Sequence, residues 1–235
     1  MYQFGLIEGD QEFRSRGGLV APVRRRVASP QGLRLDSTRV LDIAIALAVL
    51  VFTAPLLIVL ALTIKLQDGG PALFAHPRIG RGGRTFRCLK FRSMVIDAEA
   101  RLKALLETDP RARREWDADH KLRKDPRLTP MGDFLRKSSL DELPQLFNVL
   151  RGEMSIVGPR PIVQAEVVRY GPAFRHYCSL RPGITGLWQV SGRNDVSYRR
   201  RVALDRLYAG SKNLKTDLKI LVMTVPAVLS RNGSY

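Results

Sequence analysis

The sequence predicts an α+β membrane protein, mainly helical, with one apolar N-terminal helix, a small β-hairpin and a run of further helices. Three observations predict it. Ile43 to Ile64 carries no charged residue. Apolar and polar residues alternate on both sides of Gly80-Arg81-Gly82-Gly83, the signature of a hairpin whose turn needs positive φ. Finally, 39 Lys and Arg against 22 Asp and Glu give a net charge of +17, which calls for an anionic partner such as a lipid headgroup surface or a phosphorylated ligand.

The elements follow in order. Residues 1–38 are rich in Gly, Arg, Ser and Pro and read as a flexible cytoplasmic tail. Residues 39–66 form the membrane helix, whose uncharged run is roughly 33 Å long at about 1.5 Å per residue. Arg24, Arg25, Arg26, Arg34 and Arg39 precede it, and Lys65, Arg78, Arg81 and Arg84 follow. Cytoplasmic flanks carry the positive excess, and here both flanks do. Pro55 near the middle removes a backbone hydrogen bond and kinks the helix. A re-entrant helix bent at Pro55 meets both observations; the alternative is a single span with a tolerated proline.

Residues 67–235 read as one unit. Its hairpin could be a glycine-rich phosphate cradle, but it lacks the GK[ST] ending, so a plain turn is favoured. Met94 to Lys121 is charged and helical, broken near Asp109-Pro110. Thr129 to Val149 is apolar and helical. Loop-rich text follows, with VGPRP at 157–161 and RPGITGLWQVSGRND at 181–195. The closing LKTDLKILVMTVPAVL is an apolar helix interrupted by Pro226.

Composition narrows the function. Hydrophobic residues at 45% exclude general disorder. The 2 cysteines, Cys88 and Cys178, lie far apart and read as reduced thiols of a cytoplasm-facing chain. The 3 histidines are isolated, which disfavours a transition-metal site. Aromatic residues make up only 7% and do not interleave with the basic ones, so a nucleic-acid partner is not expected.

Two groups of residues carry the chemistry. The adjacent carboxylates Asp141 and Glu142 open an apolar helix behind Arg136 and Lys137. Ser139 and Glu142 have the spacing of a capping box, and Asp141 could itself be an N-cap, a role compatible with a reactive one. The second group is basic residues set in apolar or glycine-proline text: Lys90, Arg92, Arg160, Arg181 and Arg193. That setting suggests planar anion recognition, and together they favour a phosphorylated ligand.

The stretches LKFRSM, KDPRLTPMGDFLRKSSLDELPQLFNVLRGEMSIVGPRP, RPGITGLWQVSGRND and DLKILVMTVPAVL resemble the bacterial sugar transferases, monotopic polyprenyl-phosphate hexose-1-phosphate transferases. The resemblance runs from about Arg39 to Tyr235 and is nearest to the members that start exopolysaccharide assembly. It implies a catalytic domain at the cytoplasmic face of the inner membrane, among phospholipids, with self-association left open. It implies transfer of hexose-1-phosphate from UDP-galactose or UDP-glucose to undecaprenyl phosphate, releasing UMP. In this family the Asp of the Asp-Glu pair is the nucleophile, here Asp141, which would form a covalent aspartyl-phosphosugar. Mg²⁺ is the implied cofactor, held by Asp141 and Glu142; Glu142 could instead position protons or water. Lys90, Arg92, Arg136 and Arg160 match positions expected to contact phosphate, and Arg181 and Arg193 match later motifs expected near nucleotide or sugar. The family's re-entrant helix bends at a Ser-Pro pair; here Ala54 precedes Pro55, with Thr53 before it. A non-catalytic membrane scaffold of the same fold is the alternative, against which the intact carboxylate pair speaks.

Overall fold

The structure is a computed structural model, and it describes residues 36–119, 122, 125–192 and 196–229. The uncharged run forms α1 (Ser37–Asp68), which continues as helix through Pro55. Pro55 leaves the Val51 carbonyl without its usual donor, and one turn earlier the Thr53 hydroxyl donates to the Val49 carbonyl at 2.7 Å. Gly69 ends the helix at φ 72°, its N–H reaching the Lys65 carbonyl at 2.8 Å. Much of α1 is bare: Val51 is 75% exposed and Phe52 87%, an apolar surface that water does not favour.

Both halves of α1 are fastened to the rest of the chain. Ile45, Ala46, Val49 and Leu50 join the main core with Leu146, Val149, Met154 and Ile156. Leu57, Leu60, Ala61 and Ile64 join a second cluster with Phe91 and Leu135. Polar ties secure the two ends. Arg39 donates to the Val149 carbonyl at 2.7 Å, and Asp42 accepts from the Ser155 hydroxyl at 2.9 Å and the Ile156 N–H at 2.8 Å. At the far end Asp68 pairs with Arg92.

The expected hairpin is present. β1 (Leu73–Ile79) pairs antiparallel with β2 (Thr85–Phe91), from Leu73 opposite Phe91 to Ile79 opposite Thr85. Gly82 and Gly83 turn it at φ 71° and 73°. Phe86 and Cys88 alternate inward on β2. The charged stretch is helical and broken where expected: α2 (Ala98–Thr108) is followed by α3 (Pro110–Asp119). Asp109 caps the second helix, accepting from the Arg111 N–H at 2.7 Å, with Pro110 in the first turn.

Residues 129–149 differ from the expectation that Asp141 and Glu142 open an apolar helix. α4 (Pro130–Ser138) is capped by Thr129, whose hydroxyl accepts from the Gly132 N–H at 2.9 Å. Gly132 is required, because a Cβ there would lie 1.8 Å from the Ser93 carbonyl oxygen. Ser139 then closes α4 at φ 58°, and Leu140–Glu142 form a single 3-10 turn. α5 (Gln145–Leu150) starts only after Pro144. The capping box is therefore absent. An N-cap needs extended backbone, and Ser139 is left-handed, so its hydroxyl makes no cap. Asp141, inside the turn and four residues before α5, is no N-cap either.

The glycine-proline text holds more order than loops. β3 (Ser155–Val157) pairs in parallel with β4 (Gly183–Thr185), so the 158–161 and 181–186 segments pack side by side. Gly183 N–H reaches the Pro159 carbonyl and Gly158 N–H the Thr185 carbonyl, at 2.8 and 2.9 Å. Short helices α6 (Val167–Tyr170) and α7 (Phe174–Ser179) lie between the two strands in the chain, and α8 (Leu187–Val190) and α9 (Tyr198–Ser211) follow β4. α10 (Leu214–Leu229) continues through Pro226, burying Ile220 while Leu218, Val222 and Val225 stay exposed.

Candidate functional site

The site grows from the turn between α4 and α5. Ser139 is the one non-glycine residue with positive φ among the described residues. Such a conformation costs about 1 kcal/mol or more, and it redirects the chain so that Asp141 and Glu142 sit on a tight turn instead of a helix face. Asp141 is only 8% exposed, and Glu142 is half-buried.

β2 brings Lys90 to the pair. Its ammonium donates to Glu142 Oε1 at 2.6 Å and lies 3.9 Å from Asp141 Oδ2. Asn148 of α5 fixes this approach, accepting from the Leu89 N–H at 2.9 Å and donating to the Arg87 carbonyl at 2.8 Å. From α4, Arg136 anchors on the Ser93 hydroxyl at 3.0 Å and its charge acts on Asp141. From the other side Arg160 and Arg78 act on Glu142. Arg78 donates to the Pro161 carbonyl at 3.1 Å and lies 3.9 Å from Glu166.

Environment separates the two carboxyls. Burial pushes Asp141 up to about 6, reinforced by the Glu142 charge and opposed by Lys90 and Arg136. Burial pushes Glu142 the same way, but Lys90, Arg160 and Arg78 outweigh it and hold Glu142 down at about 2. Burial, with Arg160 nearby, also lowers the Arg78 guanidinium. Glu142 is thus a fixed anion, while Asp141 is the more basic, buried carboxylate.

Five of the basic and acidic residues expected from the sequence meet here: Asp141, Glu142, Lys90, Arg136 and Arg160. Arg92 is placed elsewhere, paired with Asp68 and donating to the Pro71 carbonyl at 2.7 Å. Arg181 donates to the Gly152 carbonyl at 2.9 Å and faces Arg39 and Arg81. Arg193 lies outside the described residues. Pro55 is within α1. Three cleft residues were not singled out: Arg78, Gln145 and Gln189, which line one cleft with Cys88, Lys90, Glu142, Arg160 and Ile184. Arg78 precedes a glycine turn in apolar text, the same signal that marked Arg160. Gln189 is the one carboxamide in TGLWQV. A larger cavity of about 410 Å³ between α2 and α3, lined by Leu102, Leu106 and Trp116, shares no residue with this cleft.

The donor set fits a hard cation that takes only part of its shell from protein. Mg²⁺ is commonly held by one or two carboxylates, with substrate phosphates and water completing it. Asp141 and Glu142 could offer such oxygens, and among the described residues no cluster of three or more acidic, His or Cys ligands exists that would hold a metal alone. A basic carboxylate flanked by cations is equipped to attack an anionic phosphorus centre.

The bacterial sugar transferase family matches residues 34–231. A UDP-galactose-lipid carrier transferase of Erwinia amylovora is 51% identical over 197 residues, covering 84% of this chain and 41% of that protein. An undecaprenyl-phosphate galactose phosphotransferase of Salmonella typhimurium is 52% identical over 197 residues, with 84% and 41% covered. The exopolysaccharide production protein ExoY of Sinorhizobium fredii is 49% identical over 199 residues, covering 85% and 88%. The chain thus spans less than half the length of the first two and most of the third.

Proposed function

We infer the reaction from the family: the chain belongs to the bacterial sugar transferases. It moves hexose-1-phosphate from a UDP-hexose, galactose or glucose, to undecaprenyl phosphate, releases UMP, and so begins exopolysaccharide assembly. The observation that carries this reading is the buried, basic Asp141 carboxylate held between Lys90 and Arg136 beside ionised Glu142. The relatives' names, galactose among them, support the donor and the lipid acceptor.

Asp141 attacks the sugar-bearing phosphorus. A carboxylate oxygen–phosphorus bond forms, and the bond to the bridging oxygen breaks, its electron pair leaving with UMP. Undecaprenyl phosphate then attacks the same phosphorus, and the bond to Asp141 breaks, restoring the carboxylate. Each step exchanges one energy-rich phosphoryl bond for another, so a single site serves two anionic substrates in turn. A carboxylate approaching a diphosphate is repelled, and Lys90, Arg136 and Arg160 offset that repulsion where charge accumulates. The elevated pKa makes Asp141 a better nucleophile while leaving it ionised at neutral pH. Asp141 and Glu142 would hold Mg²⁺, which supplies charge neutralisation on the phosphate oxygens when bound.

The setting follows from α1. Its exposed apolar surface, with that of α10, supports residence in a bilayer. Both ends of α1 are tied to one folded body, which favours entry and exit on one face, with Pro55 at the bend. The site then lies at the cytoplasmic boundary, where the lipid phosphate and the soluble nucleotide meet.

The test is UMP release by the detergent-purified chain across a panel of UDP-sugars. Turnover with one UDP-hexose that depends on undecaprenyl phosphate and vanishes in Asp141→Asn is expected. Folded protein releasing no UMP from any of them overturns the reading.

A further inference from the structure

Among the cleft groups that the proposed chemistry leaves unused, Gln189 stands apart. The Gln189 Oε1 atom is buried and has no hydrogen-bond partner among the described residues. A buried acceptor left unpaired costs on the order of 1–3 kcal/mol, so its persistence in a cleft needs a reason. Gln189 lines the same cleft as Lys90, Glu142, Arg78 and Arg160.

The backbone makes room for it. A Cβ on Gly186 would lie 2.6 Å from Gln189 Oε1 and 2.2 Å from the Gly158 carbonyl oxygen. Gly186 therefore lets the carboxamide settle where the β4 segment meets the loop that carries Arg160. The side chain is placed there by glycine packing, not by a polar partner of its own.

Resting on the transferase reading above, we propose that the Gln189 carboxamide recognises a hydroxyl of the donor's hexose and so contributes to the choice of sugar. The chemistry selects that occupant. Phosphate oxygens only accept and cannot satisfy Oε1. A sugar hydroxyl both donates and accepts, matching a carboxamide that presents an acceptor and a donor. A uracil ring could also pair with an amide, but no aromatic residue is among the lining residues to stack on it. The arginines and Lys90 serve the diphosphate, leaving the carboxamide for the sugar beside it.

The experiment is a substrate-by-variant cycle on the full chain, reading kcat/KM for UMP release. The donors are the active UDP-hexose and its 2-, 3-, 4- and 6-deoxy analogues, and the enzymes are wild type and Gln189→Met. Wild type is expected to lose roughly tenfold or more with one deoxy donor, since a site built around a hydroxyl rejects the analogue lacking it. In Gln189→Met the parent donor falls by a similar factor and that deoxy penalty disappears. Both donors meet the same variant, so a general loss of folded protein cancels. A deoxy penalty of unchanged size in Gln189→Met overturns the assignment, as does a variant that loses UMP affinity to the same degree as donor affinity. No UMP release from any donor by wild type is a different failure, removing the transferase reading and this proposal together.

Discussion

At the scale of single residues, the candidate site gives two neighbouring carboxyls different characters. Lys90 touches both but bonds directly only to Glu142, which stays ionised, while burial makes Asp141 the basic partner. Lys90→Met would leave two adjacent carboxylates without the cation between them. The expected result is a fall in UMP release of roughly 10²-fold, the size typical of losing one preorganised charge partner, with Lys90→Arg keeping part of the activity. A change within twofold would remove Lys90 from the account. Lys90 and Arg160 were legible in the sequence because each stands out against apolar or glycine-proline text, and the carboxylates as an adjacent pair, whereas Arg136 was marked only by the family resemblance. Arg92 shows the limit of that signal. Its setting in KFRSM looks the same as that of Lys90, yet its partner is Asp68, at the end of α1 and 24 positions away.

At the scale of elements, buried polar ties join segments that apolar contacts alone would leave free to slide. Tyr170 of α6 donates to Asp205 of α9 at 2.7 Å. Burial pushes Asp205 up to about 7, and the tyrosine hydrogen bond only partly opposes it. The folded chain therefore binds more protons at this group than the unfolded chain, whose carboxyl titrates near 4. Stability should fall as pH rises from about 4 through 7 and level off above, by at most about 4 kcal/mol from this group. Thermal melting of Asp205→Asn across that window is expected to show a flatter pH dependence than wild type. An unchanged slope would contradict the assigned burial. Element prediction succeeded where a local period was long enough. The hairpin has seven-residue strands on either side of a glycine turn, with alternation clear at the start of β2, and the Asp109-Pro110 break follows from proline chemistry. It failed at Ser139, because a left-handed serine is imposed by how α4 and the following turn pack and not by its neighbours in sequence. β3 and β4 escaped notice for a simpler reason: three residues each are too few to show alternation.

At the scale of the whole molecule, a chain of net charge +17 combines basic loops with bare apolar helices. That combination suits a chemistry whose two substrates are anionic and arrive from different phases. Under the proposed re-entrant α1, protease-cleavable tags at both chain ends are expected to be cut from the cytoplasmic side of sealed membranes. A protected N-terminal tag would make α1 a span instead. The positive flanks and Pro55 already suggest the first expectation, and the fastening of both α1 ends to one body adds a second support that sequence could not show. In the proposed reaction one buried aspartate carries the sugar phosphate between the two phases. Intact-mass measurement of the chain mixed with UDP-hexose and Mg²⁺, without lipid acceptor, tests it most directly. The account predicts a mass gain of one hexosyl phosphate, located on Asp141, absent in Asp141→Asn and discharged when undecaprenyl phosphate is added. Full turnover without any such adduct, or an adduct that persists in Asp141→Asn, would contradict it.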